Sequence, residues 1–239
     1  MNVIWQEALI HTRVRMRERS SAFWAYVFPV MLLILFCSIF GKTIEDYTAI
    51  LAGMICITSM TGAFYGVGLN LVALREQNVL KQYKVTPSPL WKMILGICLS
   101  QVFTTILTTV WLFVIAKTFY KIALPSDVWA FLLVFTAGAL MFCAIAFVIA
   151  GLSRSSHQAS ALIQVIFMPM IFLSGSLLPY EAMPAWAQKI ALALPATYYV
   201  LSLRHVLSVG GEGNMKNLAV MGIVFLLAAG VSIKSFRRE

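Results

Sequence analysis

Along this chain the polar residues do not alternate with apolar ones. They collect at the borders of long apolar runs. Six runs stand out, 22–40, 48–74, 93–116, 128–152, 158–178 and 217–233, and none holds Asp, Glu, Lys or Arg. About 20 mostly apolar residues carry a helix across the hydrocarbon core of a bilayer, so each run predicts a membrane-spanning helix. The first run does not read as a cleaved leader: some 20 residues precede it and no A-x-A-like site follows it. It is expected to be retained.

Composition agrees with the pattern. The 239 residues are 61% hydrophobic and 11% charged, with mean hydropathy +0.88. A soluble domain of this size carries about 25% charged residues, so this chain lacks the charge to cover a water-facing surface. The formal charge of +9 would suggest a nucleic-acid partner in a soluble protein. Here its distribution gives a better explanation, and no nucleic-acid partner is expected. With the termini placed on the inner side, twelve of the Lys and Arg residues and four acids fall inside, against six and five outside. Basic residues favour the cytoplasmic side, so both termini are expected there.

The polar borders carry their own signals. In "WQEALIHTRVRMRER", Trp5, Leu9, Thr12 and Met16 share a helical face while Arg13, Arg15, Arg17 and Arg19 crowd the rest. This predicts an amphipathic helix over 1–21 lying along the membrane surface; a bare orientation signal is the alternative. The loop "LREQNVLKQYKVTPSPLWK" predicts a short amphipathic helix over 75–87, stopped by "TPSP". Such a helix suits docking into a partner's groove, and a solvated basic loop is the alternative. Gly62, Gly66 and Gly68 in "TGAFYGVGLN" leave room for close helix approach.

Little in the sequence points to bond-making chemistry. His11, His157 and His205 are far apart, and no metalloprotease, hydrolase or phosphate-binding motif occurs. "GKT" at Gly41–Thr43 lacks the upstream glycine that a phosphate-binding loop needs, and "LSGS" at Leu173–Ser176 sits at the end of a span. Cys37, Cys56, Cys98 and Cys143 all lie inside apolar runs with no C-x-x-C, as small buried hydrophobes do. Ion-coupled carriers usually place ionisable groups within the membrane. These spans offer the amides Asn70, Gln101 and Gln164 plus hydroxyls, as interhelical hydrogen bonds or as contacts along a pathway.

The order of parts then becomes recognisable. The loop "REQNVLKQYKVTPSPLWKMILG" follows the second run and "GLSRSSHQAS" the fourth. "FMPMIFLSGSLLPYEAMPAWAQKIALALPATYYVLSLRHVL" joins the fifth run to the last. Over its whole length the chain resembles the permease subunit of type-2 ATP-binding-cassette (ABC-2 type) exporters. The resemblance implies an all-α integral membrane protein forming a single transmembrane domain over 1–239. It has six transmembrane helices, the N-terminal interfacial helix, and re-entrant helices between the fifth and sixth spans. It implies that Arg75, Glu76, Leu80, Lys81 and Tyr83 couple to a separate ATPase, and that 175–195 caps an exit. There Pro179, Pro184 and Pro195 break the helix, and Tyr180 and Trp186 suit the headgroup interface. No cofactor is expected in this chain; ATP and magnesium would be bound by the ATPase. The expected partners are that ATPase, a second copy or a related permease, and the bilayer of a prokaryotic inner membrane. The expected cargo is a drug, antibiotic, lipid or lipid-linked glycan. An ATPase-independent six-span carrier or channel is the other reading, and a scaffold subunit a third.

Overall fold

The computed structural model describes residues 23–77, 90–122, 124–125, 127–177, 183–208 and 215–236. These form an all-helical protein. The surface helix expected over 1–21 lies outside the described residues.

The first span opens with a π-turn, Phe23–Val27, and continues as α1, Phe28–Phe40. Helix α2, Ile44–Thr61, runs through a π-helical stretch, Gly62–Leu69, into α3, Asn70–Glu76. Together they make one continuous second span of 33 residues, Ile44–Glu76. Its apolar part is the 48–74 run, and charged residues project at both ends. Its start is set by a capping box. The Thr43 hydroxyl accepts from the Asp46 amide at 3.2 Å, and the Asp46 carboxylate accepts from the Thr43 amide at 3.0 Å.

The third span, α4, is Leu90–Tyr120, and the fourth, α5, is Val128–Leu152. Asp127 caps α5 by accepting from the amides of Trp129 and Ala130. The fifth span, α6, is Ser156–Leu173 and ends five residues before the expected 178. There the chain turns through Gly175 at φ 85°, a conformation that glycine adopts without strain. Helix α7, Ala185–Ala191, and helix α8, Pro195–Leu207, follow with a bend of 97° between them. The last span, α9, is Met215–Phe236.

Among the described residues five helices are long and apolar enough to cross a membrane, or six if the bent α7–α8 pair counts as one. They correspond to the second through sixth expected spans. The first expected span is shorter, its helix α1 having 13 residues.

The second span is the centre of the bundle, with two-thirds (67%) of its most apolar stretch buried, against 22% for α6 and 11% for α9. Helix α8 packs beside it and holds the bulkiest fully buried side chain among the described residues, Tyr199. The Tyr199 ring lies so close to Gly138 of α5 that a Cβ there would fall 2.2 Å from it. Its hydroxyl shares a hydrogen bond with Ser59 at 3.3 Å. Phe142 meets both Tyr199 and Phe64 edge to face, at 5.6 and 6.1 Å between centroids, a favoured aromatic geometry.

Candidate functional site

A cleft of about 880 Å³ opens between the first, second, third and fifth spans. Its apolar wall is built from Phe28, Leu32 and Phe36 of α1 and Phe167, Ile171 and Phe172 of α6. Facing them is a polar strip. Thr58, Thr61 and Tyr65 come from the second span, and Gln101, Thr104, Thr105 and Thr108 from α4. Among the described residues, no side chain lining the cleft carries a formal charge at neutral pH.

The strip arises from a helical period. Ser100, Thr104 and Thr108 recur every four residues, as do Gln101, Thr105 and Thr109, so both rows lie on one face of α4. All six are buried. The hydroxyl protons are spent locally. Thr104 donates to the Ser100 carbonyl at 2.9 Å, Thr105 to that of Gln101 at 3.0 Å, Thr108 to that of Thr104 at 3.0 Å, and Thr58 to that of Ile55 at 2.9 Å. A hydroxyl has one proton and two lone pairs. The strip therefore turns mainly acceptor oxygens toward the cleft.

Gly62 makes room for the amide among them: a Cβ at that position would lie 2.0 Å from Gln101 Nε2. That amide donates to Thr105 Oγ1 at 3.2 Å. Gly68 sits against Ala146 of α5, and Gly66 lines the cleft.

The three amides expected along a pathway separate in space. Gln101 lines the cleft. Gln164 stands at its edge, where its Nε2 donates to the Tyr65 hydroxyl at 2.8 Å and ties the fifth span to the second. Asn70 begins α3 beyond the π-helical stretch and is not among the lining residues.

Of the residues expected to couple to an ATPase, Arg75 and Glu76 are described; Leu80, Lys81 and Tyr83 are not among the described residues. The Arg75 guanidinium donates to the Ser153 carbonyl. The Glu76 carboxylate accepts from the Ser156 amide at 3.0 Å and from its hydroxyl. These hydrogen bonds from Ser156 hold the Glu76 carboxyl below its ordinary value. Both side chains thus reach the turn joining α5 to α6.

At the other end of the bundle, Pro184 caps α7 and Pro195 is the first residue of α8. Trp186 is exposed; Pro179 and Tyr180 lie outside the described residues. The corner is fastened by Thr197 and Tyr198, which each donate to a carbonyl at the end of α7 at 2.7 Å. Below it, the 174–176 turn is deeply set. The Ser174 and Ser176 hydroxyls hydrogen-bond at 2.7 Å, and Arg204 of α8 donates to the Gly175 carbonyl at 3.0 Å.

The threonine rows are what the sequence reading missed. Their four-residue period was present in "SQVFTTILTTV".

The chain belongs to the ABC-2 type transporter family, whose model matches residues 3–207. Members are the membrane component of an ABC transporter, not its ATPase, and this chain is a multi-pass membrane protein. Across its full length it is 24% identical over 244 residues to "Putative transport permease YvfS" of Bacillus subtilis (strain 168), covering 98% of that protein. It is also 23% identical over 150 residues to "Probable multidrug ABC transporter permease YbhR" of Escherichia coli, strain K12 and O157:H7 alike. That match takes in 63% of this chain and 41% of YbhR.

Proposed function

We propose that this chain is the permease subunit of an ATP-driven exporter, sitting in a prokaryotic inner membrane with both termini in the cytoplasm. Separate ATPase subunits, which bind the ATP and magnesium, dock on the segment 75–87 and are coupled to the spans through Arg75, Glu76, Leu80, Lys81 and Tyr83. Two copies, or this chain with a related permease, enclose the pathway. The 175–195 segment caps the exit.

The observation that carries this reading is the uncharged cleft of about 880 Å³ in a member of this family. Clefts of about 300–1,000 Å³ suit drug-sized ligands. Aromatic side chains on one wall and acceptor oxygens on the other favour a neutral amphiphile bearing hydroxyl or amine donors. A neutral drug or antibiotic meets that description, as do the uncharged sugar and acyl parts of a lipid or lipid-linked glycan, and the multidrug designation of YbhR is in keeping with it. Ions find no counter-charge there.

The test is reconstitution in vesicles with and without the ATPase that copurifies with the chain. A fluorescent neutral amphiphile is expected to move only when ATPase and ATP are both present. Replacing Gln101 by Leu removes a hydrogen-bonding amide worth about 0.5–1.5 kcal/mol. It is expected to raise the half-saturating cargo concentration several-fold while basal ATP hydrolysis holds. Movement of the amphiphile by the chain alone would establish the carrier reading instead.

A further inference from the structure

Helix α6 is thinly covered, yet it forms one wall of the cleft. With little apolar surface to fix its position, polar ties to the second span take on that task. Two such ties and one close backbone approach occur at three depths. Glu76 holds Ser156 at one end, Tyr65 holds Gln164 midway, and the backbone of Ser176 lies against Gly53 at the other end.

The tie at Glu76 has an unusual form. Arg75 and Glu76 are consecutive, and they grip the two sides of one turn. Arg75 donates to the carbonyl of Ser153, just past the end of α5, where helix carbonyls lack intrahelical partners. Glu76 accepts from Ser156, the first residue of α6, where helix amides lack them. Each charge also suits the helix end that it meets, positive at a C-terminus and negative at an N-terminus. Ser153 is itself buried, so the turn is seated firmly.

We propose that Arg75 and Glu76 are positioning residues that pass motion of the following segment to the fifth span, rather than contacts for the ATPase. This rests on the reading that an ATPase docks beyond them. The second and fifth spans then shift as one unit. From Ser156 to Phe167 the helix is about 17 Å long at 1.5 Å per residue, and a helix carries displacement over that distance. Pro169 follows Phe167; lacking an amide donor, it gives α6 a place to bend beside the cleft.

The experiment uses a cysteine reporter at Met168, an exposed residue of α6 that lines the cleft. The full chain with its copurifying ATPase is placed in lipid nanodiscs. The Met168→Cys labelling rate with a maleimide is measured with and without ATP, the parent chain being the blank. ATP is expected to change the rate at least three-fold in the otherwise unaltered chain. Glu76→Gln and Ser156→Ala are each expected to abolish that change while the ATPase still copurifies and hydrolyses ATP. The double variant should be no worse than either single one, and Ser156→Thr should restore the response. An intact ATP response in both single variants would overturn the proposal. So would loss of ATPase binding in Glu76→Gln with Ser156→Ala unaffected, because Glu76 would then be a docking contact. If no ATPase accompanies the unaltered chain, the exporter reading itself fails, and this inference falls with it.

Discussion

Replacing Gly53 by Ala adds one methyl group at the most crowded point between the second span and the 174–176 turn. The new Cβ would lie 1.9 Å from the Ser176 carbonyl oxygen, 2.8 Å from its carbon and 3.1 Å from its Cα. Every one of these atoms is backbone, so no rotamer change relieves the clash. Reaching even 3.0 Å requires the turn to retreat by about 1.1 Å. The turn is poorly free to do so. The Ser174 and Ser176 hydroxyls are bonded to each other, the Cys56 thiol and Ser176 share a hydrogen bond, and Arg204 holds the Gly175 carbonyl. Overpacking costs about 1–3 kcal/mol, offset by up to about 1 kcal/mol from the better helix propensity of alanine. A net loss of about 1–2 kcal/mol lowers the folded-to-unfolded ratio about 5–30-fold. Gly230→Ala is the matched control, because nothing lies within 4 Å of a Cβ there. The assay is SDS-induced unfolding in mixed micelles, followed by tryptophan fluorescence. Gly53→Ala should unfold at clearly lower SDS than the parent, and Gly230→Ala at the same or slightly higher SDS. Coincident midpoints for the two variants would refute the close approach.

Two further outcomes follow from the ties between spans. A double-mutant cycle of Tyr65→Phe and Gln164→Leu is expected to give a coupling of about 0.6 kcal/mol, and at most about 1.7, as for other hydrogen bonds within membranes; additive effects would remove the tie. Hydrogen bonds from Ser156 lower the carboxyl of Glu76, so its tie is fully present above the ordinary carboxylate range and is lost as pH falls through the lowered folded value. Carbon-13 NMR of the Glu76 carboxyl should show a depressed midpoint that returns toward the ordinary value in Ser156→Ala.

The spans were legible because lipid leaves backbone groups only each other as partners, so a charge-free run of sufficient length becomes a helix. Their ends were less legible, since local chemistry sets them. Thr43 and Asp46 begin the second helix before the apolar run does, and Gly175 ends the fifth before its run is over. Helix α8 was not separated from its surroundings, because Arg204 and His205 interrupt its hydropathy. The structure shows how it carries the arginine: the guanidinium reaches the Gly175 carbonyl. Gln101 and Gln164 drew notice as rare amides in apolar runs, and both are found at the cleft or its rim. The threonine rows escaped because a hydroxyl bonded to its own helix is nearly indistinguishable from filler in a sequence. Only the packing of four spans shows that these oxygens share one wall. The turn that Arg75 and Glu76 grip lies about eighty residues further along the chain, beyond the reach of any local pattern.

The eight-residue π-helical stretch Gly62–Leu69 has a bearing on everything that follows it in the second span. Its wider turns accommodate more chain per revolution than an α-helix does. Over the same rotation it therefore holds about one residue more than ordinary winding does, so excising a single residue there would let the stretch relax to about 3.6 residues per turn and leave Arg75 and Glu76 at nearly the same azimuth. A residue excised from an α-helical part of the span would instead swing them round the axis by about 100° and carry their grip off the distant turn. The π-helical stretch is slack in the winding, where a lost codon does less harm than its neighbours' loss would.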